Sequence, residues 1–319
     1  MEVTRESVLK ATTSLIQAIP LIDFIVTKGN GYIYGGFLRW VVQHMTENGN
    51  VPTVKDMYEN LKNGSDIDIS IKSDRRRNTT FKEILVRVVE EGGYIELSTR
   101  LYDSSKKYNI NPREIDIYMG LYYGCYLIWL PIPDEKDSFM RLEILFEERN
   151  SELRDVDYCV NNMKFGYNIN EKIYWINPKT GFDKIIEFIH NKIFTMGFYW
   201  NEGISDQEIM RCLKRIYRVK KLWKRGYRPA MITVFTECIN SILVRAKNCN
   251  EPGSYICIDD ISIPSVMEDN TMLHSTTHDY ARMDFKLFMQ DDYMQKICIN
   301  LGIDLDEINN DNIASDSED

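Results

Sequence analysis

The chain has 319 residues, 44% of them hydrophobic and 27% charged, and a net charge of −9. That composition is ordinary for a folded chain of two domains. The acidic balance argues against a surface coated in positive charge for bulk nucleic-acid binding, but leaves room for a local basic groove. Seven cysteines without a CxxC pair argue against structural zinc or a disulfide framework, so a cytoplasmic or other reducing compartment is expected. The first residues lack a basic region followed by an apolar core, and no run of about 18 apolar residues occurs. Neither a secretory signal nor a membrane partner is therefore expected.

In chain order, residues 5–19 carry apolar side chains at helical spacing, and Pro20 ends that segment. "GYIYGG" (31–36) predicts a short strand meeting a glycine pair, and "FLRWVVQHM" a helix. Residues 47–64 predict a polar loop with a short helix. "DIDISIK" (66–72) predicts a strand, followed by the charged turn "SDRRRN" and a helix in "FKEILVRVVEEGG". "YLIWLPI" and "FMRLEILFE" flank the turn "PDEKDS" and read as a hairpin. From about residue 183 the pattern is mostly helical. The acidic, polar end predicts disorder. The expected organisation is an α+β region over 1–182, a mostly helical region over 183–303, and an acidic tail over 304–319.

Three features carry chemistry. Gly35 and Gly36 lie between a strand and a helix, where glycine permits close backbone approach to a phosphate and helix N-terminal amides favour an anion. A plain tight turn would use the same residues. Asp66 and Asp68 share one face of a strand, because side chains two apart point the same way. An exposed acidic face is one explanation. A magnesium site is the other, since oxygen ligands suit the hard cation and the cation removes the repulsion. Glu143 stands in the middle of an apolar strand, where an acid without a partner is costly. It completes a three-carboxylate cluster if its strand lies beside the first. Asp116 competes for that role, and the hairpin turn before Glu143 favours Glu143.

These residues together resemble the nucleotidyltransferase superfamily that includes DNA polymerase beta. More narrowly, they are similar to the head of the tRNA CCA-adding enzymes and bacterial-type poly(A) polymerases. That family has a strand, GGxVR, a helix, and a strand with DxD; here Gly35-Gly36-Phe37-Leu38-Arg39 and Asp66-Ile67-Asp68 follow in that order. "DVDYCVNNMKFGYN" is similar to the family's RRDFTINAxAY, with Asp157, Asn161 and Met163 at matching positions. Gly181 and Asp183 match its G-x-x-D-L helix start. "SDQEIMRCLKRIYRVKKLWKRGY" stands where the family has its arginine helix, in one register through Arg211 and Lys214 or in another through Arg215 and Arg218. Trp40 replaces the aspartate of GGxVRD and Val156 replaces an arginine, while residues 47–64 look inserted.

The resemblance implies a polymerase beta-like head with a mixed sheet over 1–182, followed by a helical neck and body over 183–303. Asp66, Asp68 and Glu143 would hold Mg²⁺ in a two-metal site. Gly35, Gly36, Arg39, Asp157 and Asn161 would bind a nucleoside triphosphate, with ATP the expected one. The activity implied is template-independent addition of nucleotides to an RNA 3′ end, by poly(A) or CCA addition; homo-oligomer formation stays open. The second reading is an inactive relative serving as an RNA- or protein-binding module, for which Trp40 and Val156 speak.

Ser205 and Glu208 form a capping-box pattern that starts a helix. Ile209, Leu213, Ile216, Val219 and Trp223 make its apolar stripe. The remaining faces carry Arg211, Lys214, Arg215, Arg218, Lys220, Lys221, Lys224 and Arg225, either as a solvated surface or as contacts to triphosphate and RNA. Arg75, Arg76 and Arg77 form a second basic group with the same two explanations.

Overall fold

The structure is a computed structural model. It describes residues 2–72, 78–97, 125–135, 137–147, 158–178, 181–197, 203–249, 263–266, 272–275 and 285–310. Asp116, Asp157, Val156 and the Arg75–Arg77 group lie outside these residues. The fold is α+β, and the chain divides into two compact units. The first comprises Met1–Val156, Val160–Asn191 and Ile258–His278; the second comprises Asp157–Cys159, Lys192–Cys257 and Asp279–Asp319. The first unit thus extends past residue 182 and takes in a later segment.

Local sequence sets the first helices. α1 (Arg5–Gln17) starts at Thr4, whose side chain and Ser7 cap each other reciprocally. Pro20 does more than end this segment, because its fixed φ suits the first position of a new helix, α2 (Pro20–Thr27). No single helix among the described residues is long and apolar enough to cross a membrane. α3 (Gly36–Asn48) follows β1 (Gly31–Tyr34), and α4 (Val54–Lys62) begins at a Thr53–Asp56 capping box. β2 (Asp66–Lys72), α5 (Asn78–Glu90), β3 (Tyr94–Leu97) and the β4 (Cys125–Pro131)–β5 (Phe139–Glu147) hairpin come next. The hairpin β6 (Met163–Asn168)–β7 (Ile173–Pro178) and α6 (Phe182–His190) complete the set that positions the site.

These strands form one seven-stranded sheet in the order β3-β4-β5-β2-β1-β6-β7. It is mixed: β2 and β5 run parallel, whereas β1 pairs antiparallel with both β2 and β6. Strand alternation separates two chemistries. One face aligns Ile176, Phe165, Ile33, Ile69 and Ile144 across five strands, all fully buried. The opposite face aligns Lys164, Tyr34, Asp68 and Glu143, with Asp66 and Arg141 in the adjoining row. A one-residue slip of β2 would exchange these faces, so the buried isoleucines fix the register of the acids.

The second unit is mostly helical among its described residues. α7 (Asp206–Tyr217) and α8 (Val219–Lys224) are separate helices meeting at Arg218, rather than one continuous helix. The expected stripe is buried throughout, from Ile209 to Trp223. α9 (Ile232–Asn248) packs on α7. Its apolar residues Phe235, Ile239, Ile242 and Leu243 are buried. Three short helices follow: α10 (Phe285–Met289), α11 (Asp292–Asn300) and α12 (Leu305–Asn310). α12 corrects the expected tail, which was to be disordered from 304: Ile308 is 3% exposed, and its carbonyl accepts a bond from Lys247. One apolar anchor and one backbone bond order a segment whose composition is acidic. Residues 311–319 lie outside the described region.

Candidate metal centre

The site is built where β2 meets β5. Parallel pairing sets Asp68 opposite Glu143 and Asp66 opposite Arg141. Ligand oxygens of Asp66, Asp68 and Glu143 lie within 4.8 Å of one another, and all three residues are half-buried. Two unit charges at that spacing repel by about 1 kcal/mol in water and roughly 3–4 kcal/mol at an effective dielectric near 20. Arg141, paired to Asp66, offsets part of that repulsion, and a bound cation would offset the rest. The donor set is oxygen only, which suits a hard divalent ion. Magnesium with ligands at about 2.1 Å spans oxygen pairs of roughly 3–4 Å, so small side-chain rotations would close the cluster around an ion. The residues present therefore fit a metal ion, and the choice of Glu143 as the third acid agrees with the geometry.

The glycine pair adjoins the acids. Gly35 has φ +78° and ψ −133°, a backbone conformation open to glycine. A β-carbon built there would stand 2.9 Å from Oδ2 of Asp68. Two requirements thus meet at Gly35: the turn conformation and the space taken by a carboxylate. Gly36 has neither, and its nearest neighbour, Nη2 of Arg39, is at 3.8 Å. Gly35 caps α3 without a side-chain bond, so the first amides of α3 keep their capacity for an acceptor.

Arg39, an expected nucleotide-binding residue, lies in the first turn of α3. It is 4% exposed, and Nη1 donates to Oδ1 of Asn161. The segments "GGFLR" and "YCVNN" therefore meet through this bond, in which both residues hold α3 against the start of β6. Trp40 packs between Phe37 and His44 along α3 at ring-centroid distances of 5.7 Å to each.

Arg141 was not among the expected site residues. Its Nη2 donates to Oδ2 of Asp66. Burial opposes the guanidinium charge, but the Asp66 bond and the charges of Asp66, Glu143 and Asp68 raise its pKa above the ordinary arginine value. The signal was present in "FMRLEILF": Arg141 is two positions before Glu143 and must share its face. Lys164 is a second cation on that face, with Nζ 5.1 Å over the Tyr32 ring.

The basic residues of α7 and α8 belong to the second unit and are described within it. Ser205 caps α7 by accepting from the Glu208 amide at 3.3 Å, while the Glu208 carboxylate turns to Arg211. Arg211 is thus engaged in an ion pair. Lys214 and Arg215 are half-buried, and the Arg215 carbonyl accepts from the Tyr158 hydroxyl at 2.7 Å. Arg218, Lys221, Lys224 and Arg225 are exposed. Lys220 is tied to Asp291 at 2.6 Å. The exposed group clusters around the α7–α8 break and the end of α8. Comparison with protein-family models and with curated proteins gave no match.

Proposed function

We propose that the protein is a template-independent nucleotidyltransferase that extends an RNA 3′ end with nucleoside triphosphates, with ATP the preferred one. The observation that carries this reading is the gathering of Asp66, Asp68 and Glu143 from two parallel strands, beside the Gly35 turn that opens α3. A strand, a glycine turn, a helix and a DxD strand with a third acid next to it is also the arrangement of the polymerase beta-like head. Asp66, Asp68 and Glu143 would hold Mg²⁺. Bound there, Mg²⁺ would lower the pKa of the attacking 3′ hydroxyl and neutralise charge at the leaving phosphate. Glu143 orients the hydroxyl. The Gly35 and Gly36 backbone and the opening amides of α3 receive phosphate oxygens. Arg39 and Asn161 act indirectly by fixing α3. Arg218, Lys221, Lys224 and Arg225 supply exposed charge for the RNA backbone. The buried thiols Cys159, Cys212, Cys238 and Cys298 accord with a reducing compartment.

One observation favours the second reading, an inactive module that binds RNA or protein. Arg141 already neutralises part of the acidic cluster without a metal. The readings separate on incubation of a short RNA with Mg²⁺ and each nucleoside triphosphate in turn. Lengthened RNA in the ATP reaction supports the enzyme. Unchanged RNA in all reactions, with RNA still bound, supports the module.

A further inference from the structure

We propose that Arg141 is a phosphate-binding residue held in reserve: it occupies Asp66 until a divalent cation takes that carboxylate, and then turns to a phosphate oxygen of the nucleotide. This rests on the nucleotidyl-transfer reading. Arg141 and Glu143 share one face of β5, and each stands beside an acid of β2. The Arg141 side chain is 34% exposed and that of Asp66 25%, so the pair is reachable from solvent.

A cation and Arg141 compete for the same oxygen, because Oδ2 of Asp66 is the atom the guanidinium holds. When a divalent ion takes Asp66, the guanidinium loses its acceptor and faces a new positive charge. It must move, and its backbone on β5 keeps it within a side-chain length of the cluster. A guanidinium fork matches phosphate geometry. A metal-bound nucleotide would bring phosphate oxygens to this place. The exchange replaces one acceptor with another, so neither state strands a charge in a half-buried site. It also explains how three clustered acids remain folded before metal arrives.

The test uses the full chain, with Mn²⁺ alone as the first probe and α,β-methylene-ATP as the second. Mn²⁺ binding is read by electron paramagnetic resonance for wild type, Arg141→Ala, Arg141→Lys and Asp68→Asn. Removing the competitor should tighten Mn²⁺ binding by roughly five- to tenfold in Arg141→Ala, with Arg141→Lys in between. Nucleotide affinity in saturating Mn²⁺ should move the other way, falling by about tenfold in Arg141→Ala and recovering in part in Arg141→Lys. A merely structural arginine would lower melting temperature and weaken both ligands together. If Asp68→Asn abolishes Mn²⁺ binding but Arg141→Ala alters neither affinity, the Arg141 inference is overturned while the metal reading stands. If wild type and Arg141→Ala both fail to bind Mn²⁺, the metal reading itself falls and this inference with it. Should the alanine variant not fold, Arg141→Lys decides: Mn²⁺ and nucleotide affinities both equal to wild type overturn the proposal.

Discussion

Gly35→Ala tests whether the glycine turn and the acidic cluster are one unit. Alanine at φ +78° and ψ −133° costs about 1–3 kcal/mol in backbone strain. Its methyl group would stand 2.9 Å from Oδ2 of Asp68, so that carboxylate must also shift. The shift is not free, because Asp68 lies opposite Glu143 and within reach of Asp66. The combined loss should be roughly 2–4 kcal/mol, or a fall in Tm of several degrees for a domain of this size. Gly36→Ala is the internal control. It adds a methyl group at ordinary contact distance, 3.8 Å from Arg39, and replacing glycine in a helix gains up to about 1 kcal/mol. Urea and thermal unfolding of both variants give the stabilities, and Mn²⁺ titration gives the state of the acids. Gly35→Ala should melt lower and bind Mn²⁺ more weakly, while Gly36→Ala should melt at or above wild type. Equal damage from both, or a Gly35→Ala protein that melts and binds Mn²⁺ like wild type, would refute the reasoning.

Asp68→Ala and Glu143→Ala should each cut nucleotide incorporation by at least about 100-fold, yet leave Tm unchanged or raised, because one of three mutually repelling acids is gone; turnover near wild type would dismiss the metal assignment. Arg39→Met and Asn161→Leu should couple by about 1–3 kcal/mol in a double-mutant stability cycle, since the two side chains share a hydrogen bond that either change removes, and additive effects would show the bond to be idle. At Asp291, burial works against the carboxylate charge, but Lys220, Tyr217 and the Met294 amide overrule it and draw the pKa from 3.8 down to about 2. A carboxylate that titrates lower when folded gives stability that is whole above pH 3.8 and lost as pH falls toward 2; Asp291→Asn should therefore flatten the acid limb of a pH–stability curve between those values, and an unchanged limb would contradict it. Charge reversal at Arg218 and Lys221, both exposed, should weaken RNA binding most at low salt and leave Tm alone; equal affinities at low salt would mean a merely solvated face.

The site was legible where alternation and punctuation agree. "DIDISIK" and "RLEILF" announce strands by period two, and the turn between "YLIWLPI" and "FMRLEILFE" announces their hairpin, so the three carboxylates could be named before the pairing of β2 with β5 was known. The parallel register itself depends on contacts between distant segments, which no local pattern encodes. Arg141, two positions before Glu143, reads as ordinary surface until the partner strand brings Asp66 opposite it. The buried state of Arg39 was hidden for a similar reason: its partner Asn161 is 122 residues away. Pro20 stops one helix and starts another, α2, because proline suits a first helical position, so the stop signal alone does not reveal α2. In the second unit the apolar stripe was correct, but it continues in phase through Arg218, so the stripe alone does not reveal the break between α7 and α8.

The central claim is that the carboxylate face transfers a nucleotide, and not another part of the triphosphate, to RNA. Parallel reactions with RNA, Mg²⁺ and ATP labelled with ³²P at either the α- or the γ-phosphate test it most directly. Label from the α position should enter the RNA and label from the γ position should leave as pyrophosphate. Both signals should vanish with chelator and in Asp68→Ala. Transfer of γ-label to RNA, or no transfer at all by a wild-type protein that binds Mn²⁺ and RNA, would contradict the account.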